Sequence, residues 1–395
     1  MDYEVIRNAW GPEDREVYST PLDKLPKKKN LDKFRGCLIG GAAGDALGYA
    51  VEFLSEKMIF SQFGGEGITD YCLHFDRAWI SDDTQMTMFT ANALLFGTTR
   101  GCLRGIMGTY PSYIAKAYRD WYKTQYEKYE NCNRKFITSW LMNVPELFAW
   151  RAPGNTCLSA IEEGCGGTIE WPVNNSKGCG GVMRVAPVGL YFGQSRVPPL
   201  TADLIGADAA ALTHGHEMGY IPAAMLVHIV RLLSHNDAIS PKDAVLDSMI
   251  AMERLFADAK TLPGFLDLIA RAVELSESEV SVLDAIHQLG QGWVGDEALA
   301  IAIYCALKYA DDFDRALIAA VNHNGDSDST GAITGNILGA HLGLSGIPGK
   351  YLENLELKDV LLELADDLYA ACPPEALRTD ADRWSRKYVD ITYPG

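Results

Sequence analysis

The sequence predicts an all-α protein, a single compact multi-helix domain. Three observations carry that expectation. Apolar residues recur at helical spacing in one segment after another. Alternating runs of strand type are scarce. No segment repeats at a fixed period, which sets aside solenoids and propellers. At 395 residues the chain has length for one large core or two modest ones. The glycine-rich breaks at 64–67, 164–167 and 178–181 read as loops rather than linkers, which favours one domain.

Taken in order, residues 1–33 are a polar, proline-punctuated arm that includes the basic run Lys27-Lys28-Lys29. Its aromatics Tyr3, Trp10 and Tyr18 argue against a plain disordered tail. The domain is expected over 34–375, followed by a C-terminal tail at 376–395 that packs on it or trails it. A first helix carries glycines at 36, 40, 44 and 48, one smooth face that lets a second helix approach closely. Residues 85–96 are apolar at helical spacing behind a Ser-Asp-Asp-Thr start that can cap the first turn. Two helical stretches over 202–233 are separated around His214–Gly219, and 241–257 and 264–275 read as amphipathic helices. In 296–310, Leu299, Ile303 and Leu307 share a stripe, with Asp296 and Glu297 in the first turn where the helix dipole favours them. Helices at 314–321, 332–342 and 358–371 complete the pattern.

Composition narrows the function. Hydrophobic residues at 48% and charged residues at 22% exclude disorder as the main state. A net charge of −17 argues against non-specific nucleic-acid binding and against docking on an anionic membrane. Nine scattered cysteines without a CxxC pair read as reduced thiols of a cytoplasmic protein. The N-terminus lacks the basic and apolar regions of a signal peptide, and no run of about eighteen apolar residues exists.

Chemistry concentrates in two acidic clusters, Ser81-Asp82-Asp83-Thr84 and Asp326-Ser327-Asp328-Ser329. Adjacent carboxylates raise one another's pKa unless a cation separates them, and oxygen-only donors suit a hard divalent ion. Helix capping needs one such residue, and two over-supplied helix starts exceed that need. The second cluster imitates an EF-hand loop as far as Gly331 but has Ile337 where the bidentate glutamate belongs. Asp45 beside the glycine face is costly to bury without a partner. Glu52, where the first helix should end, is open to overhanging a cleft or to a solvated surface position. The loop 174–184, with Gly178, Gly180 and Gly181, can cradle a phosphate, while Arg184 suits a structural pair equally well. His214 and His216 form an HxH without the further ligands a zinc site needs, which favours one ligand-facing and one structural histidine. His323 is open to supporting the acidic loop or to a core role.

Read in order, these segments resemble the ADP-ribosylglycohydrolase family, of the dinitrogenase-reductase-activating and ADP-ribosylarginine-hydrolase type. The likeness runs from Arg35 to about Leu344 and includes Gly292-Trp293-Val294-Gly295-Asp296-Glu297. It implies an all-α fold with a two-Mg²⁺ (or Mn²⁺) centre. Ser81, Asp82, Asp83, Asp326, Asp328 and Ser329 take its ligand positions, with serine at Ser81 and Ser329 where the family usually has threonine. Glu52 takes the place of a glutamate that reaches over the metals, and Asp83 or Glu52 would assist proton transfer. Ser176, Gly178 and Gly180 match the loop against ADP-ribose, and His214 its phosphate-side histidine. Lys177 stands where an aromatic is common, and Cys179 replaces a frequent asparagine.

The implied activity is hydrolysis of ADP-ribose from a protein side chain, with arginine preferred over a serine or O-acetyl linkage. The implied partner is the ADP-ribosylated protein substrate. Because family members act as antidotes to ADP-ribosyltransferase toxins, the arm at 1–30 is assigned to contact such a transferase. Rivals are a phosphoesterase built on the same acidic loops and a non-catalytic binding protein of this fold. An intact six-residue ligand set argues against the latter.

Overall fold

Helices follow one another from Leu31 to Tyr388 in the computed structural model, which describes residues 19–193, 197–371 and 380–391. In chain order α1 spans Leu31–Tyr49, α2 Glu56–Phe63, α3 Asp82–Arg104 and α4 Tyr110–Tyr126. Then come α5 Asn155–Glu162, α6 Ala186–Phe192, α7 Pro199–Ala211 and α8 Glu217–His235. The second half holds α9 Pro241–Leu255, α10 Leu262–Ser276, α11 Val282–Leu289 and α12 Gly295–Lys308. It closes with α13 Phe313–Val321, α14 Ser327–Leu342, α15 Lys358–Ala371 and α16 Ala381–Tyr388. A two-stranded antiparallel hairpin, β1 Leu73–His74 and β2 Arg77–Ala78, is the sole sheet among the described residues. The all-α single domain expected from the pattern is the fold observed.

Every helix expected from periodicity is present, with α3 and α14 starting earlier than expected. Both extra turns begin inside the acidic clusters, where Ser81 and Asp326 cap helices whose first turns hold the carboxylates. Six helices (α2, α4, α5, α6, α11 and α16) were not expected. Five of them are seven or eight residues long, too short for a clear period. The sixth, α4, opens on Tyr110-Pro111 behind a Thr109 cap.

Burial sorts the helices into a core and a shell. Amphipathic α10 buries Phe265, Ile269 and Ala272 and leaves its other face to solvent. By contrast α1 and α14 are buried on nearly all sides. They cross antiparallel at backbone distance. A Cβ added at Gly36, Gly40, Gly44 or Gly48 would overlap the backbone at Gly339, Gly335, Gly331 and Ser327 respectively, and the α14 glycines are blocked reciprocally. The Asn336 side chain fixes the register by donating to the Cys37 carbonyl at 2.8 Å. Around this pair pack α15 on α1, and α12 and α13 on α14, while α8 holds α6, α7 and α9 together.

Ahead of α1, Thr20 and Asp23 dock residues 19–30 on the body through Asp247 of α9 and the fully buried Arg231 of α8. The stretch 1–18, with the aromatics assigned to a transferase partner, lies outside the described residues. Of the C-terminal segment, α16 packs against α3, and its Tyr388 hydroxyl donates to Asp367 of α15 at 2.6 Å.

The crossing predicts a sharp contrast between two glycines. Gly335→Ala, whose methyl has no space, should cost about 3 kcal/mol in denaturant unfolding, the upper range for overpacking. Gly65→Ala, which meets nothing within 4 Å, should stay within about 0.5 kcal/mol of the parent. Equal effects at both positions would contradict the packing described.

Candidate metal centre

The antiparallel crossing sets the end of α1 against the start of α14, and α3 begins beside both. Asp45, buried within α1, is the clasp. Its carboxylate accepts the Ser81 and Thr84 backbone N–H groups, at 3.0 and 3.1 Å, and the Thr84 hydroxyl. That answers how a carboxylate beside the glycine face is tolerated: three donors at a helix N-terminus satisfy it. Ser81 in turn caps α3 by accepting from Asp83 N at 3.2 Å. Asp82 is held against the loop after Trp150, its N–H bonded to the Arg151 carbonyl at 3.1 Å and its carboxylate accepting from Gly154 N at 3.3 Å.

The second cluster is fixed by the turn before it. Gly325 has φ +140, and a side chain there would overlap the Gln291 carbonyl, which also accepts the Asp326 N–H at 2.9 Å. Asp326 then caps α14 through Ser329 N at 3.3 Å. One hydrogen bond joins the clusters: Ser329 Oγ donates to Asp83 Oδ2 at 2.9 Å, across 246 positions of sequence.

Glu52 completes the group. It is 8% exposed, so the solvated surface reading is set aside. Carboxylate oxygens of Glu52, Asp326 and Asp328 lie within 4.8 Å of one another, and Glu52 Oε2 has no hydrogen-bond partner. Among the described residues no lysine or arginine pairs with Glu52, Asp82, Asp83, Asp326 or Asp328. Burial and mutual repulsion push Glu52, Asp82, Asp83 and Asp328 up. Glu52 reaches about 9 and Asp82 about 8, burial leading in each, and Asp83 and Asp328 stand well above the ordinary range.

This donor set fits hard divalent ions. It offers only carboxylate and hydroxyl oxygens at two helix starts, with one buried carboxylate oxygen unclaimed by any donor, and a pocket of uncompensated anions is what a cation relieves.

The glycine loop borders the group. Ser176 accepts from Gly178 N at 3.3 Å, and the loop is pinned by Cys179 N to the Trp293 carbonyl at 3.3 Å and by Gly295 N to the Lys177 carbonyl at 2.8 Å. Ser176, Gly178 and Gly180 are half-buried, and the His214 ring lies directly against Gly178 and Gly180. His214 is only 2% exposed, with Nδ1 at 2.8 Å from the Thr213 hydroxyl, and burial holds its pKa down near 3, so the ring is neutral.

Three open readings resolve as structural. Arg184 is fully buried and donates to the Ala209 carbonyl and Thr213 hydroxyl. His216 caps α8 through Met218 N at 2.9 Å. His323 is a core histidine bonded to the Ala320 carbonyl and the Thr330 hydroxyl. Sequence reasoning missed the Cys179 thiol, which lies 2.7 Å from Asp326 Oδ2. Only its place in the glycine loop hinted at it. Phe53, 72% exposed beside Glu52, stacks on Trp293 at 6.5 Å.

Comparison with known proteins points to one family. The model of the ADP-ribosylglycohydrolase family matches residues 26–377. An ADP-ribosylhydrolase ARH3 of Danio rerio is 26% identical, over 86% of this chain and 90% of its own. The ADP-ribosylarginine hydrolase Tri1 of Serratia proteamaculans is 25% identical, over 91% of this chain and 85% of its own. A solved ADP-ribosylglycohydrolase-related protein complex shares the fold at a TM-score of 0.55 and 24% identity, covering 86% of this chain and 97% of that one. No described helix is long and apolar enough to cross a membrane.

The raised carboxyls give stability a sign against pH. Folding takes up protons between the ordinary carboxylate range near ~4 and the value of about 9 at Glu52. In EDTA the contribution is therefore full at low pH and lost as pH rises through that window. A divalent ion binds the ionised carboxylates and opposes the loss. Melting temperature in EDTA should fall steadily between about pH 5 and pH 9, and the gain on adding Mg²⁺ should grow over the same interval. Melting curves insensitive to both pH and Mg²⁺ would contradict a metal-poised cluster. Asp45→Asn, which weakens the clasp without removing a proposed ligand, should lower Mg²⁺ affinity by roughly 10–100-fold in a calorimetric titration.

Proposed function

The chain belongs to the ADP-ribosylglycohydrolase family, and from that premise we propose that it hydrolyses ADP-ribose from modified protein side chains with divalent-metal help, the linkage being to arginine. One observation carries the reading: four carboxylates and two serine hydroxyls gather at two facing helix starts, with Glu52 beside them and the glycine loop at their border. Arginine suits the pocket because its guanidinium is cationic before the bond breaks, so the bonding pair converts it to neutral guanidine and no prior protonation is needed. The similarity to Tri1, whose name specifies ADP-ribosylarginine, supports the same linkage.

Ser81, Asp82 and Asp83 from one helix start, and Asp326, Asp328 and Ser329 from the other, would hold the ions. Bound Mg²⁺ or Mn²⁺ would supply Lewis-acid charge for ordering the ribose hydroxyls and for lowering the pKa of a water. The chain's own residues do the rest. Gly178 and Gly180, lacking side chains, let the diphosphate lie against backbone N–H groups, and neutral His214 keeps that loop in place. Water adds its oxygen to C1″ as the C1″–N bond breaks, and the bonding pair goes to the guanidinium nitrogen. The proton released by that water passes to a carboxylate. Glu52 suits this role better than Asp83, because Asp83 Oδ2 already accepts from Ser329 whereas Glu52 Oε2 accepts from nothing.

The direct assay is release of ADP-ribose from a mono-ADP-ribosylated arginine protein in Mg²⁺ and in EDTA. Release that EDTA abolishes is the expected result. Release only from serine-linked or O-acetyl substrates would move the linkage, and phosphate release from simple esters alone would favour the phosphoesterase reading. Asp328→Ala should reduce turnover at least ~10³-fold while keeping the helical circular dichroism intact, since it also relieves repulsion in the metal-free pocket. An active Asp328→Ala enzyme would sink the mechanism.

A further inference from the structure

We propose that this centre also takes a thiophilic divalent cation, Zn²⁺ or its analogue Cd²⁺, with Cys179 as a sulfur ligand. The inference rests on the metal reading above and concerns which ion the pocket captures. Cys179 Sγ lies 2.7 Å from Asp326 Oδ2, and the Ser329 hydroxyl is 3.6 Å from the same sulfur. Asp326 is also one of the three carboxylates that converge within 4.8 Å, and the unpartnered Glu52 Oε2 is buried among them. A cation held by Asp326 therefore sits next to sulfur.

Backbone contacts aim the thiol. Cys179 N donates to the Trp293 carbonyl at 3.3 Å, Gly178 bridges to Val294, and Gly180 is wedged between Cys157 Sγ and the His214 ring. For Mg²⁺ this neighbour is neutral, since a hard ion gains nothing from sulfur. For Zn²⁺ or Cd²⁺ it adds one sulfur beside the Asp326 carboxylate, a donor pair of the kind zinc accepts. As the sulfur–metal bond forms, the thiol proton leaves to solvent, so each ion captured releases one proton from Cys179. The captured ion occupies part of the Mg²⁺ pocket and competes for it.

The test uses the full chain carrying Cys102→Ser, which removes an exposed thiol from the background. Cd²⁺ is titrated while the sulfur-to-cadmium charge-transfer absorption is followed, with and without excess Mg²⁺. The expected result is a band that saturates at one ion per chain, shifts to higher Cd²⁺ when Mg²⁺ is present, and disappears on Cys179→Ser. In the parent chain, alkylation of Cys179 by iodoacetamide, read by peptide mass spectrometry, should slow roughly ten-fold or more when Cd²⁺ or Zn²⁺ is added. The same band in Cys179→Ser, or equal alkylation of Cys179 with and without the ion, would overturn the proposal. Hydrolysis plays no part in either readout, so a failure of the hydrolase reading and a failure of this one are separately visible.

Discussion

Backbone contact between α1 and α14 is the constraint on which the acidic pocket depends. Two helices that meet at four successive turns, three of them glycine to glycine, have no freedom of register or rotation, because any sideways step drives a carbonyl into a Cα. That contact ends at Gly48 on one helix and Ser327 on the other. Glu52 and Asp326 are therefore brought together by packing that involves no charge. The attraction comes from dispersion and buried apolar area along the rest of both helices, and it is strong enough to hold groups that repel.

The repulsion is the functional part of the design. Elsewhere the chain satisfies its buried charges: Arg231 has Asp23, and Arg151 has Glu356. Around Asp83 and Asp328 it supplies helix N-termini and hydroxyls but no cation among the described residues. A protein selected for stability alone would neutralise such a group. Leaving it without a charged partner is what a site for a divalent ion requires. The clasp from Asp45 shows how the arrangement is made tolerable, with one carboxylate spent on fixing the helix start that presents two others.

Much of this was legible in the sequence because it rests on local pattern. The four-residue glycine period announced a close helix crossing, and the two over-acidic helix starts announced a cation site. The partner of the glycine face was not legible, although Gly331, Gly335 and Gly339 repeat the same period, because pairing two distant stripes needs the fold. Glu52 could not be told from a surface glutamate, since burial of a residue just past a helix end depends on what packs over it. The helices α5, α6 and α11 went unseen because seven or eight residues span barely two turns.

The central claim is that two clusters 246 positions apart form one dinuclear centre. Electron paramagnetic resonance of the Mn²⁺-loaded protein addresses it most directly, because two manganese ions about 4 Å apart couple magnetically. The account predicts two ions per chain with an exchange-coupled spectrum that Mg²⁺ displaces. A single uncoupled ion per chain, or two ions that ignore one another, would contradict it.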